Sequence, residues 1–296
     1  MRSCATYCVL GLLVGLMFAA DWSARAQGAD VGSTPASLQT AAPDVDQKPK
    51  HRLHFPIGID RIPDQDREAM QLPFGIGTSF FGSRENYLFG SASVSINGQP
   101  IPSQMMNLDS ITVIQDSRTV LIDAWLLPFL NIYGLGGTFS GTTRNIKASM
   151  VGQDIPLPQE IPFSGTTRGF GATLAGGYKR LFFTYDWNKS WAKVDLATGS
   201  TPTVTQGPRI GVATDKPNVH TEIYVGSFKE EVSGNTFGSI TFPDIGQFDY
   251  NVTVGPERAW NYVVGANVEL RKHWQINVEH GFGKRTHNML SITARF

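Results

Sequence analysis

From Phe74 to the C-terminus, apolar and polar side chains alternate with a period of two, in segments of ~9–11 residues or more. In Thr286–Phe296 one face carries Asn288, Leu290, Ile292, Ala294 and Phe296, and the other His287, Met289, Ser291, Thr293 and Arg295. Trp274–Gly283 sets Trp274, Ile276, Val278, His280 and Phe282 against Gln275, Asn277, Glu279, Gly281 and Gly283. Arg258–Arg271 sets Trp260, Tyr262, Val264, Ala266, Val268 and Leu270 against Asn261, Gly265, Asn267 and Glu269. A helix, with ~3.6 residues per turn, would scatter these charges around its circumference. The segments are strands.

A soluble sandwich and a membrane barrel both produce this alternation, and three features favour the barrel. The less apolar face is built from Gly, Asn, Ser, Thr and Glu, as suits a lumen, rather than from the Lys and Glu of a solvated exterior. Aromatic residues gather at segment ends, as in Trp260, Tyr262, Trp274, Phe282, Phe182, Phe183, Tyr185 and Trp187, where girdles would meet the membrane–water boundaries. Connections alternate between tight turns and long loops. The turns are Leu127–Leu130, Tyr178–Arg180, Asp215–Asn218 and Arg271–His273; the loops are Asn97–Ser117, Lys147–Ser164, Asp195–Thr203 and Gly234–Glu257. Short periplasmic turns and long extracellular loops are the rule for such barrels. Composition removes competing classes. The 25 basic and 25 acidic residues cancel, leaving no basic footprint for nucleic acid. The one long apolar run lies at the N-terminus, so a polytopic helical membrane protein is excluded.

That run belongs to a secretory signal over residues 1–26. Arg2 gives the charged start, Val9–Ala20 the apolar core and Ala24-Arg25-Ala26 a small-x-small cleavage site. As a helix the core reaches only ~18 Å, short of a ~30 Å hydrocarbon layer. Cys4 and Cys8 fall inside it, so a cleaved chain would hold no thiolate metal site, disulfide or cysteine nucleophile. Residues 27–50, rich in Ala, Thr, Pro, Asp, Gln and Ser, bury too little to order themselves and are expected to form a disordered periplasmic arm. The barrel is expected over 51–296.

The signal, the strand rhythm and the terminal Leu290-Ser291-Ile292-Thr293-Ala294-Arg295-Phe296 resemble the Gram-negative outer-membrane β-barrels. The resemblance implies an all-β, antiparallel, up-and-down transmembrane barrel. It also implies a bacterial outer-membrane location and contact with lipid and lipopolysaccharide. Leu290, Ile292, Ala294 and Phe296 would form the signal read by the barrel-assembly machinery.

Eleven spanning segments are legible: Phe74–Gly82, Asn86–Asn97, Arg118–Leu127, Asn131–Asn145, Gly165–Tyr178, Leu181–Val194, Val204–Thr214, Val219–Ser233, Arg258–Arg271, Trp274–Gly283 and Thr286–Phe296. Single-chain bacterial barrels have an even number. Twelve is the first reading, with Leu53–Ile59 as the missing strand, and ten is the alternative.

Alternation turns Asp123, Asp186, Arg209, Glu222, Asn267, Glu269, Asn277 and Glu279 inward. These groups would line a cation-favouring path for a small solute or form a satisfied polar plug. Three functions follow in order: a narrow passive channel, a closed structural or surface-interaction barrel, and an enzyme acting on lipid or peptide. For the last, His287 and Ser291 both face inward but stand ~13 Å apart along the strand, too far for a direct bond. His280 faces outward, and three-residue turns would put Ala266 and Leu290 beside it, with Asn288 diagonal. No Gly-x-Ser-x-Gly elbow is present. No cofactor and no metal site are expected: His51 and His54 stand apart from the other histidines, and Asp244 and Asp249 lack EF-hand spacing.

Overall fold

The computed structural model describes residues 55–62, 70–103, 106–108, 110–146, 148–150, 153–154, 159–195, 197–216, 218–232, 236–242 and 246–296. The signal, the arm, His51 and His54 lie outside the described residues. Ten long strands form the wall: β1 Phe74–Ile96, β2 Ile111–Leu127, β3 Leu130–Arg144, β4 Glu160–Tyr178 and β5 Leu181–Val194 make up half of it. The other half is β6 Thr201–Lys216, β7 Val219–Val232, β8 Trp260–Leu270, β9 Trp274–Phe282 and β10 Arg285–Arg295. Each pairs antiparallel with its neighbours in sequence. The ring closes where β1 pairs β10, from Gly75 opposite Arg295 to Glu85 opposite Arg285. Closure lets the backbone groups of the wall pair within the ring, the condition for crossing lipid. The fold is a closed antiparallel transmembrane barrel.

The count is ten, not twelve. Phe74–Gly82 and Asn86–Asn97 are one strand, because the polar Ser83-Arg84-Glu85 is not a turn. Those three residues stay in register with His287, Thr286 and Arg285 of β10. Leu53–Ile59 adds no strand among the described residues: Phe55–Gly58 is bend and turn, and Ile59–Arg61 is a 3-10 turn. This segment packs at the end that carries the short turns, where the Ile57 amide donates to the Leu126 carbonyl at 2.8 Å and Phe55 meets Phe74 with 5.5 Å between ring centroids.

Four short turns sit at the end shared by the N-terminus of β1 and the C-terminus of β10, hereafter the terminal end. Their tight bends use left-handed residues, with Lys179, Asn218, Arg271 and Lys272 at φ 58°, 65°, 49° and 61°. At the far end several strands run beyond the expected loops. β2 begins at Ile111 and β4 at Glu160, and Asn97-Gly98 is a hairpin turn that returns Gln99–Ile101 along β1. The expected Gly234–Glu257 loop is itself a hairpin, Thr236–Phe242 with Gly246–Pro256, whose second strand adds to the upper part of β1. A bulge between Phe89 and Ala92 shifts the register there. The Thr198 amide, in the β5–β6 connection, donates to the Phe237 carbonyl at 2.8 Å.

Exposed apolar side chains form a belt near the terminal end, including Ile76 and Phe80 (β1), Val120 and Ile122 (β2), Leu174 (β4), Phe183 (β5), Ile210 (β6), Ile223 and Val225 (β7) and Leu290 (β10). Along β8 the belt runs from Trp260 to Leu270. At ~3.4 Å per residue and a tilt of ~40° this is ~26 Å of height, the thickness of an outer-membrane apolar band. Trp187, Trp191, Trp260, Tyr262 and Phe282 mark its upper margin. There Phe170 packs 6.0 and 5.9 Å from Trp187 and Trp191, and Tyr262 stacks 6.0 Å from Phe282.

Ile223, 52% exposed at mid-belt, is a sensitive probe of this arrangement. Ile223→Arg should lower stability by ~2–4 kcal/mol, whereas Ser227→Arg, four residues toward the aromatic margin, should cost ~0–1 kcal/mol. Urea titration of the protein folded into lipid vesicles measures both, and equal costs would displace the belt.

Candidate functional site: the lumen

A single internal cavity of about 860 Å³ touches residues from all ten strands. Its lower wall, toward the terminal end, is mainly polar because the strands there present their polar parity inward, with Leu121, Leu135 and Phe182 interspersed. One cross-strand row runs Glu222, Asn267, Asn277, Ser291, Ser79 and Thr119 over six consecutive neighbours in the ring. Within it Asn267 Nδ2 donates to Glu222 Oε2 at 2.9 Å, and Ser291 Oγ donates to Ser79 Oγ at 2.9 Å.

Asp123, Asp186, Arg209, Glu222, Asn267, Asn277 and Glu279 line the cavity, and Glu269 lies buried on the inward parity of β8 beside them. Some are joined directly. Arg209 on β6 donates through Nε to Glu279 Oε2 on β9 at 2.7 Å, across a lumen three strands wide on that side. Glu279 also accepts from Tyr224 Oη at 3.1 Å and lies 3.3 Å from His287 Nε2. Asp123 accepts from Arg295 at 2.9 Å and from Asn131 at 2.7 Å. Asp186 instead accepts from Tyr133 and Thr173, at 3.0 and 2.8 Å.

Further groups, not singled out in the sequence, complete the lining. Glu85 Oε2 lies 2.6 Å from Arg285 Nη2, and Arg285 Nη1 lies 3.2 Å from Glu230, which in turn accepts from Tyr87 at 3.0 Å. This knot joins β1, β10 and β7 above the polar wall. Its signal was the continuing parity of β1, concealed when Ser83–Glu85 is read as a turn. Rings crowd the lumen by lying over glycines on the facing strand: Tyr133 opposite Gly171, and Tyr224 opposite Gly265. A Cβ on either glycine would sit 2.4 Å from the ring. At these two positions a side chain larger than glycine's would collide with the ring.

His287 does not form a hydrolytic pair with Ser291. His287 is fully buried between Phe81 and Phe228 (centroids 5.1 and 5.5 Å), and Ser291 bonds Ser79 instead. His280 has Val264 and Asn288 directly beside it, not Ala266 and Leu290. The turns centre on Lys272 and Lys284, which shifts each pairing by two residues from the expected register. His280 Nδ1 and Asn288 Oδ1 are 2.9 Å apart. Asp244 lies outside the described residues. Asp249 sits on the outer face of the hairpin, where hydrogen bonds from Gln247, Ser239 and Ser95 hold its carboxyl below the usual carboxylate range. Among the described residues no group of three or more potential metal ligands assembles.

The terminal strand turns Leu290, Ile292, Ala294 and Phe296 to the outer face, with Phe296 64% exposed. Its main chain exchanges hydrogen bonds with Phe74 at 3.0 and 3.1 Å.

A scan against protein-family models finds no match, and neither does a search of curated proteins. Among solved structures the chain is similar to the outer membrane protein OprG from Pseudomonas aeruginosa, with 10% identity, 77% of this chain and 98% of that one covered, and a TM-score of 0.41. It is also similar to the β domain of the Bordetella autotransporter BrkA, with 10% identity, 76% and 100% covered and a TM-score of 0.38. A third is an outer membrane channel from Pseudomonas putida F1, with 11% identity, 77% and 97% covered and a TM-score of 0.33. At these values the likeness goes no further than the barrel architecture already evident from the pairing.

The Arg209–Glu279 tie is testable by stability. Arg209→Met strands a buried carboxylate and should cost roughly 3 kcal/mol, and the double change Arg209→Met with Glu279→Met should recover most of that loss. A double variant no more stable than the single one in urea titration would show that the two charges are not coupled.

Proposed function

We propose that this chain is a narrow, cation-favouring solute channel of the bacterial outer membrane, with its terminal end in the periplasm. The reading rests on one observation: the cavity reaches from Asp123, Asn131 and Arg295 near the terminal end to Ile161 and Phe248 near the far end. Its charge supports the sign of the preference. Among the described residues Glu85, Asp123, Asp186, Glu222, Glu230, Glu269 and Glu279 face inward against Arg209, Arg285 and Arg295. In a confined lumen such an excess lowers the barrier for cations. Leu290, Ile292, Ala294 and Phe296 serve in this scheme as the signal for the assembly machinery, and the belt meets lipid and lipopolysaccharide.

The cross-lumen ties from Arg209 to Glu279 and from Tyr87 to Glu230 favour a second reading, a closed structural or surface-interaction barrel. Planar-bilayer recording decides between them. The channel should give discrete unit currents and a reversal potential of cation sign in a KCl gradient. Glu222→Gln should move that potential toward zero. Absence of unit currents at every voltage would leave the closed barrel.

A further inference from the structure

Above the Glu85–Arg285–Glu230 knot the barrel is inside out relative to the membrane part. On β4 the outward residues change from Phe170, Ala172 and Leu174 in the belt to Glu160, Pro162, Ser164, Thr166 and Arg168 at the far end, while Ile161 and Phe163 turn inward. On β5 the outward positions beyond Trp187 are Lys189, Trp191 and Lys193, and Ala192 and Val194 face the cavity. The hairpin strand Gly246–Pro256 shows it most sharply. Phe248, Tyr250, Val252 and Val254 line the cavity, and Gln247, Asp249, Asn251 and Thr253 alternate with them.

A polar exterior is what a wall standing in water requires. An apolar interior is not required, and here it is not closed into a core. Val94 and Phe139 are buried, but Val113, Ile161, Phe163, Ile240, Phe248 and Val252 are only partly covered, with their remaining surface on the cavity. The hydrogen-bond ladder fixes the girth of the wall, so these side chains cannot collapse onto one another as they would in a sandwich. Concave apolar surface with a few polar groups at one end is the usual form of a small-molecule site.

We infer that this upper chamber binds a neutral, apolar small molecule at the mouth of the barrel. Charge selects against anions. The floor presents Glu85 and Glu230 around Arg285, which is only 2% exposed, so among the described residues of the floor no cation is open to an incoming carboxylate. Thr201, Thr203 and Thr205 on β6 add hydroxyls and no charge. The hairpin closes one side of the chamber, anchored by Thr198 to Phe237 and by the 2.7 Å Lys284–Glu257 ion pair at its base. The inference does not depend on conductance, because a barrel closed below the knot would keep the same chamber.

The test uses the full chain in lipid nanodiscs and 1-aminoanthracene, a neutral fluorophore, with empty discs subtracted. Saturable one-to-one enhancement is expected. The near-isosteric pair Val252→Thr with Val254→Thr, which changes polarity alone, should weaken binding about tenfold. Asn251→Ser with Thr253→Ser, on the opposite face of the same strand, should leave it unchanged. Heat-dependent gel migration confirms that each variant is folded. If the inward variant fails to fold, competition on the unaltered chain replaces it: 1-naphthol should displace the probe and 1-naphthoate should not. A signal no greater than that of empty discs overturns the inference. So does saturable binding indifferent to the inward pair, or equal displacement by alcohol and carboxylate. Unit currents without probe binding would spare the channel and remove the ligand site; binding without currents would do the reverse.

Discussion

Lipid offers no hydrogen bonds, so the wall must satisfy every amide and carbonyl by itself, and β1 is the strand that makes this possible. Over Phe74–Tyr87 it pairs β2 on one side, and over Gly75–Glu85 it pairs β10 on the other, which closes the ring. β10 ends at Arg285. From Tyr87 to Ile96 the same edge of β1 is taken over by Gly246–Pro256, so on that edge pairing continues past the closed ring. The change of partner happens beside Glu85, where the buried Arg285 reaches both that carboxylate and Glu230. The ion pairs and the handover between ladders therefore occupy one level of the barrel. Below it ten strands stand in lipid; above it the wall stands in water.

That level also separates two opposite amphipathic patterns. Alternation within a strand is indifferent to which face is apolar, and solvent decides. Where lipid lies outside, Phe170, Ile210 and Ile223 point out and Asp186, Arg209 and Glu222 point in. Where water lies outside, Arg168 and Lys193 point out and Phe163 and Val194 point in. No break in the chain marks the change. β4 passes through it between Arg168 and Phe170 with its pairing to β3 and β5 uninterrupted.

This explains what the sequence disclosed and what it withheld. β8, β9 and β10 keep one phase along their whole length, and their inward residues Asn267, Asn277 and Glu279 were legible from parity alone. β2 and β4 change phase partway. A reading anchored on the lipid-facing parity stops at Arg118 and at Gly165, and assigns Ile111–Ser117 and Glu160–Ser164 to loops. The hairpin strand Gly246–Pro256 follows the water-facing pattern, so it reads as part of a long polar loop although Phe248-Asp249-Tyr250-Asn251-Val252 alternates cleanly. The false turn at Ser83–Glu85 has the same origin, since a polar triplet at the level of the knot resembles a break. Partners across the lumen were not legible at all. Which carboxylate Arg209 meets depends on girth and stagger, and these emerge only when the ring closes.

Ten strands set that girth, and the lumen chemistry follows from it. In a barrel this narrow an aromatic ring that lies across the neighbouring strand needs space there, and Tyr133 and Tyr224 each lie over a glycine, Gly171 and Gly265. The phenols gain close packing, and their hydroxyls reach Asp186 and Glu279. Those contacts hold the carboxylates in place along the wall. The glycines dispersed through the strands are thus tied to the acidic lining: a larger residue at Gly265 would drive Tyr224 off Glu279 and loosen the tie to Arg209 that crosses the lumen. In this barrel the backbone sets the width, the glycines admit the rings, and the rings orient the charges that any passing ion would meet.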